Sequence, residues 1–198
     1  PGIEARAIRI SDDPIVQWTD ELELQPGEIG EIIVKGPWVT RCYFNRDDQT
    51  RFAKIKEGDS FWHRMGDVGY FDGKNRLWFC GRKNQRIRTS NGTLFTIPCE
   101  AVFNTHPKVK RSALVGTGIP GRQKPIVIIE QENPGRPQTE PERNLLEQEL
   151  IELGNRHSCT RQIKDILFHR EFPVDIRHNA KIFREQLAQW ASEKLFSG

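Results

Sequence analysis

Apolar and polar residues alternate with a period of two over IEARAIRI (3–10) and IGEIIVK (29–35), the pattern of half-buried strands. Pro26-Gly27 supplies a turn into the second run. Gly66-Asp67 reads as another turn. The stretch from Phe71-Asp72-Gly73 to Leu77 reads as a hairpin, with Trp78 and Phe79 carrying on the returning strand. All of this is β patterning, so residues 1 to about 80 predict a small barrel or sandwich.

The pattern changes after Arg82. KNQRIRTSNG (83–92) is basic, polar and without a core rhythm, which predicts a linker or an exposed hairpin. The domain boundary falls at Lys83 to Asn84, dividing the chain into 1–83 and 84–198. Pro98 then sits near the start of a short helix through Val102 and Phe103. SALVGTG (112–118), PIVIIEQE (125–132) and ILFH (166–169) predict strands, and 133–139 a Pro/Gly-containing loop. Thr139 with Glu142 forms a capping box, with Pro141 in the first turn. Leu145, Leu146, Leu150 and Leu153 form the apolar stripe of that helix, which Gly154 can end. A last helix is predicted from about Ile182, burying Phe183, Leu187, Trp190 and Leu195. This order of strands and helices predicts an α+β second domain.

Composition narrows the picture. The chain has 198 residues, of which 36% are hydrophobic and 29% charged, with a net charge of +3. That balance does not select a nucleic-acid partner, and no apolar run approaches the ~18 residues a membrane helix needs. The four cysteines are scattered, as are the five histidines. No metal site is expected, and reduced thiols in a cytoplasmic protein are. Gly116-Thr-Gly118-Ile-Pro-Gly121 matches a dinucleotide fingerprint, but Arg122 to Pro125 leads straight into a β-run instead of a helix. These glycines therefore predict a strand-to-strand turn.

The run RMGDVGYFDGKNRLWFCGRKNQRIR (64–88) carries the candidate chemistry. Two strands of one hairpin can present Asp67 and Arg82 side by side. A carboxylate that accepts from two hydroxyls, beside a guanidinium that donates, suits a ribose; a solvated surface ion pair fits the same residues. Arg82, Lys83, Arg86 and Arg88 form one basic cluster, and Lys108, Lys110 and Arg111 another. Each reads either as a solvated face or as an attractor for ATP, pyrophosphate or a phosphorylated thiol carrier.

The segment MGDVGYFDGKNRLWFCGR (65–82) resembles the TGD…G-x-L-x-F-x-GR stretch of the adenylate-forming superfamily of acyl-CoA synthetases, adenylation domains and luciferases. In the same order, PGEIGEIIVKGPWVTRCYFNRDDQT (26–50) resembles its G-E-x-x-V-x-G-P…G-Y…T stretch, with Cys42 in place of glycine. TIPCE (96–100) resembles its P-x-E signature. DIRHNAKIFRE (175–185) resembles its P-R-T-x-x-G-K-x-x-R loop, with Ala180 in place of glycine. The pattern GRK…IRT-x-x-GTL-x-x-x-PCE is most similar to the olefin-biosynthesis branch, fatty acid–CoA ligase-like proteins that form β-lactones.

The resemblance implies an ATP- and Mg2+-dependent, AMP-forming ligase of lipid metabolism, acting on a carboxylic acid. It implies that Asp67 binds the ribose hydroxyls, Arg82 supports the ribose, Asn84 lies on the hinge of a rotating carboxy-terminal lid, and Lys181 reaches the α-phosphate and the substrate carboxylate. Lys181 also reads as an ordinary exposed lysine before a helix. The altered loop RTSNGTLFT (88–96) puts thioester formation with coenzyme A in doubt. The family's phosphate loop and acyl pocket lie upstream, so the resemblance implies the end of a longer enzyme, inactive alone. It also allows a complex with other lipid-biosynthesis enzymes. Against it stands a non-catalytic module that binds a phosphorylated or nucleic-acid partner through its basic face.

Overall fold

A computed structural model describes residues 2–132, 139–175 and 177–196, apart from the side chains of 178–180 and 196. Its contacts divide the chain into two units, 1–84 and 85–198.

The first unit is built on one five-stranded antiparallel sheet. Its strands are β1 (Glu4–Ile8), β2 (Gly30–Lys35), β3 (Lys54–Glu57), β4 (Ser60–Phe71) and β5 (Leu77–Arg82), with the short helix α1 (Asp47–Ala53) before β3. The expected barrel or sandwich takes the form of an open sheet, ordered β1-β2-β4-β3, with β5 on β4 as well. Helix α1 breaks the all-β expectation; Asp47 and Asp48 in its first turn complement the helix dipole. Ile8, Ile33, Ile55 and Trp62 form the buried core, and Trp18 tilts against Trp62 at 5.3 Å.

The hairpin turn at Asp72 is as the sequence predicts. Its carboxylate accepts from the N–H groups of Lys74 (3.0 Å) and Arg76 (2.9 Å), from Arg76 Nε (2.7 Å) and from Trp78 Nε1 (3.0 Å). Those donors, Trp78 first, hold its carboxyl well below the usual carboxylate range.

The second unit opens with the hairpin β6 (Ile87–Thr89) and β7 (Gly92–Leu94), which overlaps the KNQRIRTSNG stretch and is the hairpin of its two alternatives. Its buried Ile87 and Leu94 join the core, so the stretch is not a solvated linker. There follow α2 (Thr96–Phe103), β8 (Val109–Thr117), β9 (Lys124–Gln131), α3 (Glu140–Asn155) and β10 (Asp165–Phe168). The chain then runs through β11 (Val174–Asp175), β12 (His178–Ile182) and α4 (Arg184–Phe196). Of the loop expected over 133–139, residues 133–138 lie outside the described residues.

Strands β8 and β9 run antiparallel, and β10 lies parallel to β9. Leu114, Val127 and Ile129 pack with Phe103 of α2 and with Leu146 and Leu150 of α3. Ala113, Val115, Ile126 and Ile128 pack with Phe172 and with Leu187 and Ala191 of α4. A sheet covered on both faces explains why PIVIIE is apolar at consecutive positions. Gly116 to Gly121 makes the strand-to-strand turn predicted for it.

Three expectations for the helices change. Leu145 is half exposed, outside the buried stripe of α3. Gly154 does not stop α3, which runs to Asn155; a Cβ on it would lie 3.1 Å from the Phe103 ring, so it is a site of close approach. Ile182 belongs to β12, and the last helix begins at Arg184. The capping box at Thr139 and Glu142 is present.

Candidate functional site

Asp67 and Arg82 are direct partners across the β4–β5 ladder, and Arg82 Nη1 lies 2.8 Å from Asp67 Oδ1. The Gly66-Asp67 turn of the sequence reading is instead a bulge inside one continuous strand. Ile33 pairs with Arg64 but Glu31 with Val68, so a two-residue step on β2 spans four residues of β4. Gly66, at φ 69°, lies in that bulge. A second irregularity sits on β5, where Val68 pairs with Gly81 and Gly69 with Phe79. Bulges re-aim side chains and sharpen local twist, and these two flank the Asp67–Arg82 pair.

The Arg82 side chain is 59% exposed and that of Asp67 22%. The Asp67 oxygen facing Arg82 is buried, whereas Arg82 is largely in solvent; an ion pair with so wet a partner contributes ~0–1 kcal/mol, so Arg82 can be redirected to a ligand at little cost.

Below the pair lies a network that the sequence reading missed. Arg64 is buried, and its Nη2 donates to Glu31 Oε2 (2.7 Å) and to the Ser11 carbonyl (2.5 Å). Its Nη1 donates to the carbonyls of Asp13 (2.9 Å) and Phe52 (3.1 Å). Lys83 Nζ lies 3.1 Å from Glu31 Oε1 and 3.1 Å from the Ser11 carbonyl. The last residue before Asn84 is thereby tied to β2. Asn84 occupies a short 3-10 turn, Lys83–Gln85, where the two units divide. Its backbone is not left-handed; the described non-glycine residues with positive φ are Asn45 and Asn75.

Lys181 belongs to the second unit. Instead of standing directly before a helix, it is an exposed residue of β12, in a two-stranded hairpin where Val174 pairs with Ile182 and Asp175 with His178. Strands this short carry few ladder bonds, so the hairpin depends on what holds its base.

Two buried glutamates lie there. Glu130 of β9 is fully buried; it accepts from Arg111 Nε (2.8 Å) and the Phe172 N–H (2.7 Å), with Lys110 Nζ at 2.7 Å. Burial pushes its carboxyl up, but these donors outweigh burial and leave it below the ordinary value. Glu100 of α2 accepts from the Leu114 N–H (2.7 Å) and from Arg184 Nη2 (2.9 Å). With one cation instead of two, burial wins over Arg184, and its carboxyl is pushed up to about 7. Arg184 Nε also donates to Gln85 Oε1 at 3.2 Å. Glu100 and Arg184 stand in the TIPCE and KIFRE segments, so the motifs marked the positions without revealing the pairing.

Cys99 and Cys159 are free thiols, and burial raises the former strongly. No described helix is long and apolar enough to cross a membrane.

No protein-family model matches the chain. Olefin beta-lactone synthetase of Xanthomonas campestris is 48% identical over 196 residues, covering 96% of this chain and 35% of that protein. Olefin beta-lactone synthetase of Stenotrophomonas maltophilia is 45% identical over 206 residues, covering 97% of this chain and 35% of that protein. The chain thus spans about a third of the length of these relatives. Among solved structures, the ATP-bound RpMatB-BxBclM chimera B1 superposes with a TM-score of 0.75 at 21% identity, over 98% of this chain and 35% of the chimera. The α+β architecture, the two synthetases and the matched portion agree: the chain matches the carboxy-terminal part of the adenylate-forming superfamily.

Proposed function

We propose that this chain serves an ATP-dependent ligase that activates a fatty or β-hydroxy fatty acid as its acyl-adenylate and closes the β-hydroxy acid to a β-lactone. The observation that carries this reading is the 48% and 45% identity to two olefin beta-lactone synthetases across nearly the whole chain. Asp67 accepts from the ribose hydroxyls of ATP, and Arg82, released from its wet ion pair, donates to the same sugar. Lys181 places a point charge at the α-phosphate as the substrate carboxylate attacks the phosphorus and pyrophosphate leaves. Asn84 serves as the hinge about which 84–198 moves as a lid. In the second step the β-hydroxyl oxygen bonds to the acyl carbon, its proton is released, and AMP departs.

Mg2+ would enter as the companion of ATP. Among the described residues, no three His, Cys, Asp or Glu gather to hold a metal, so none is assigned to it.

The test uses full-length protein with ATP, Mg2+ and a long-chain β-hydroxy acid, with and without coenzyme A, and identifies products by mass spectrometry. A product lighter than the acid by one water, formed without coenzyme A, is expected. A thioester formed only with coenzyme A would keep the adenylate and overturn the lactone. Absence of acid-dependent pyrophosphate release would overturn the adenylate itself.

A further inference from the structure

We propose that Glu100, Arg184 and Glu130 form a positioning clamp that grips both legs of the hairpin bearing Lys181 and holds that lysine on target; this rests on the catalytic reading of Lys181. One leg enters the hairpin from Phe172, whose N–H donates to Glu130 Oε2 at 2.7 Å. The other leaves through Arg184, which donates to Glu100 Oε2 at 2.9 Å. Between them the Phe183 N–H donates to the Pro173 carbonyl at 2.9 Å and closes the base. Both carboxylates belong to the rigid part of the unit. Glu130 lies on β9, and Glu100 Oε1 is fixed by the Leu114 N–H of β8. The lysine hairpin is thus tied through a buried carboxylate on each side, one by an ion pair and one by a backbone N–H, with only a short ladder of its own.

Stability alone is a poor account of this arrangement. Burying ion pairs costs desolvation that their attraction often only balances, and well-packed apolar residues would serve at least as well. Arg184 also keeps a buried Nη1 with no hydrogen-bond partner among the described residues. What hydrogen bonds to a carboxylate provide and apolar contacts do not is a fixed direction, because donor and acceptor must align. A lysine that acts on a phosphate needs that direction: a misplacement of about 1 Å at a reacting centre can cost on the order of 10²-fold in rate. Arg184 further joins the hairpin exit to Gln85, the first residue of this unit. A movement of the unit at that end therefore carries the lysine with it.

The experiment uses full-length protein carrying Arg184→Lys, Glu100→Gln or Glu130→Gln, each also combined with Lys181→Ala. Each single variant is expected to lower kcat for acid-dependent pyrophosphate release by about tenfold to 10²-fold. KM for ATP should stay within about twofold, because no binding group has been removed. Hydrogen exchange should rise across 174–182, and in Arg184→Lys and Glu100→Gln it should stay unchanged in the central sheet. On the Lys181→Ala background the same substitutions should cost nothing further, since they act through the missing lysine. Losses that add to that of Lys181→Ala, or unchanged hairpin exchange, overturn the clamp. Full activity of Lys181→Ala alone overturns the catalytic reading instead. Arg184→Lys keeps the charge, and a variant that fails to fold leaves the other two to decide.

Discussion

The two sets of candidate residues, one in each unit, are held in opposite ways. Asp67 and Arg82 are set by backbone, through strand register and two bulges in a five-stranded sheet. Lys181 is set by side chains, on a hairpin whose base hangs from two buried carboxylates. A backbone ladder is indifferent to pH and tolerates few conformations, which would suit the proposed role of Asp67 and Arg82 in recognising a nucleotide. A side-chain clamp on a short hairpin is adjustable and titratable, which would suit the proposed role of Lys181 in the adenylating step.

The largest effect expected from this contrast is on the lysine. Lys181→Ala in the full-length protein should lower kcat for acid-dependent pyrophosphate release by about 10²–10³, or ~3–4 kcal/mol, the usual loss for a donor aimed at developing charge. ATP affinity should barely move. A loss that appeared in ATP binding instead would erase the division of labour between the halves.

Next comes the clamp's own titration. Burial raises Glu100 from 4.5 to about 7 against the pull of Arg184. With the folded value above the unfolded one, the folded state binds more protons between those limits. The group's contribution to stability is therefore complete below about pH 4.5 and lost as pH rises through about 7, a change on the order of 3 kcal/mol. Glu130, held below its ordinary value, has the opposite sign: its contribution is present above that value and is lost as pH falls. Urea unfolding from pH 5 to 8 should show wild type losing stability relative to Glu100→Gln as pH rises. Parallel curves would mean that Glu100 is ionised throughout.

A smaller effect is expected on the backbone-set side. Asp67→Asn keeps the shape and removes the charge that strengthens bonds from the ribose hydroxyls. KM for ATP should rise by roughly 10- to 10²-fold, corresponding to ~1.5–3 kcal/mol for hydrogen bonds to a charged group. The rate at saturating ATP should be little changed. Unaltered ATP affinity would reduce the Asp67–Arg82 pair to a surface ion pair.

Legibility in the sequence followed the same division. Period-two alternation marked β1 and β2, and a covered sheet produced the apolar run of β9, because those elements bury a regular stripe. Asp67 and Arg82 could be paired in advance because both lie on one hairpin, where a turn at Asp72 fixes the register. Helix α1 was missed because it buries none of its residues and leaves no stripe to detect. The strands of the lysine segment leave no alternation to mark them, because they are polar and short. The pairs Glu31–Arg64 and Glu100–Arg184 join residues remote in sequence, and no local pattern encodes such a contact.

The smallest predicted effect probes the backbone device directly. Gly66 has φ 69°, in the left-handed region, and nothing lies within 4 Å of where a Cβ would stand. Gly66→Ala therefore introduces no clash, and its cost is the conformational one alone, about 1 kcal/mol. The bulge can meet that cost in two ways. If the sheet over-determines the strand, the alanine is held in place: the unfolding midpoint drops by a few degrees, roughly 4–8 °C for a unit of this size, and KM for ATP is unchanged. If the glycine sets the bulge, the strand relaxes, Asp67 turns away from Arg82, and KM rises toward that of Asp67→Asn. The ladder on both sides of β4 favours the first outcome, since β2 and β5 each pair with it next to the bulge. A rise in KM without loss of stability would show that the nucleotide half is as adjustable as the lysine half, and the contrast between them would fail.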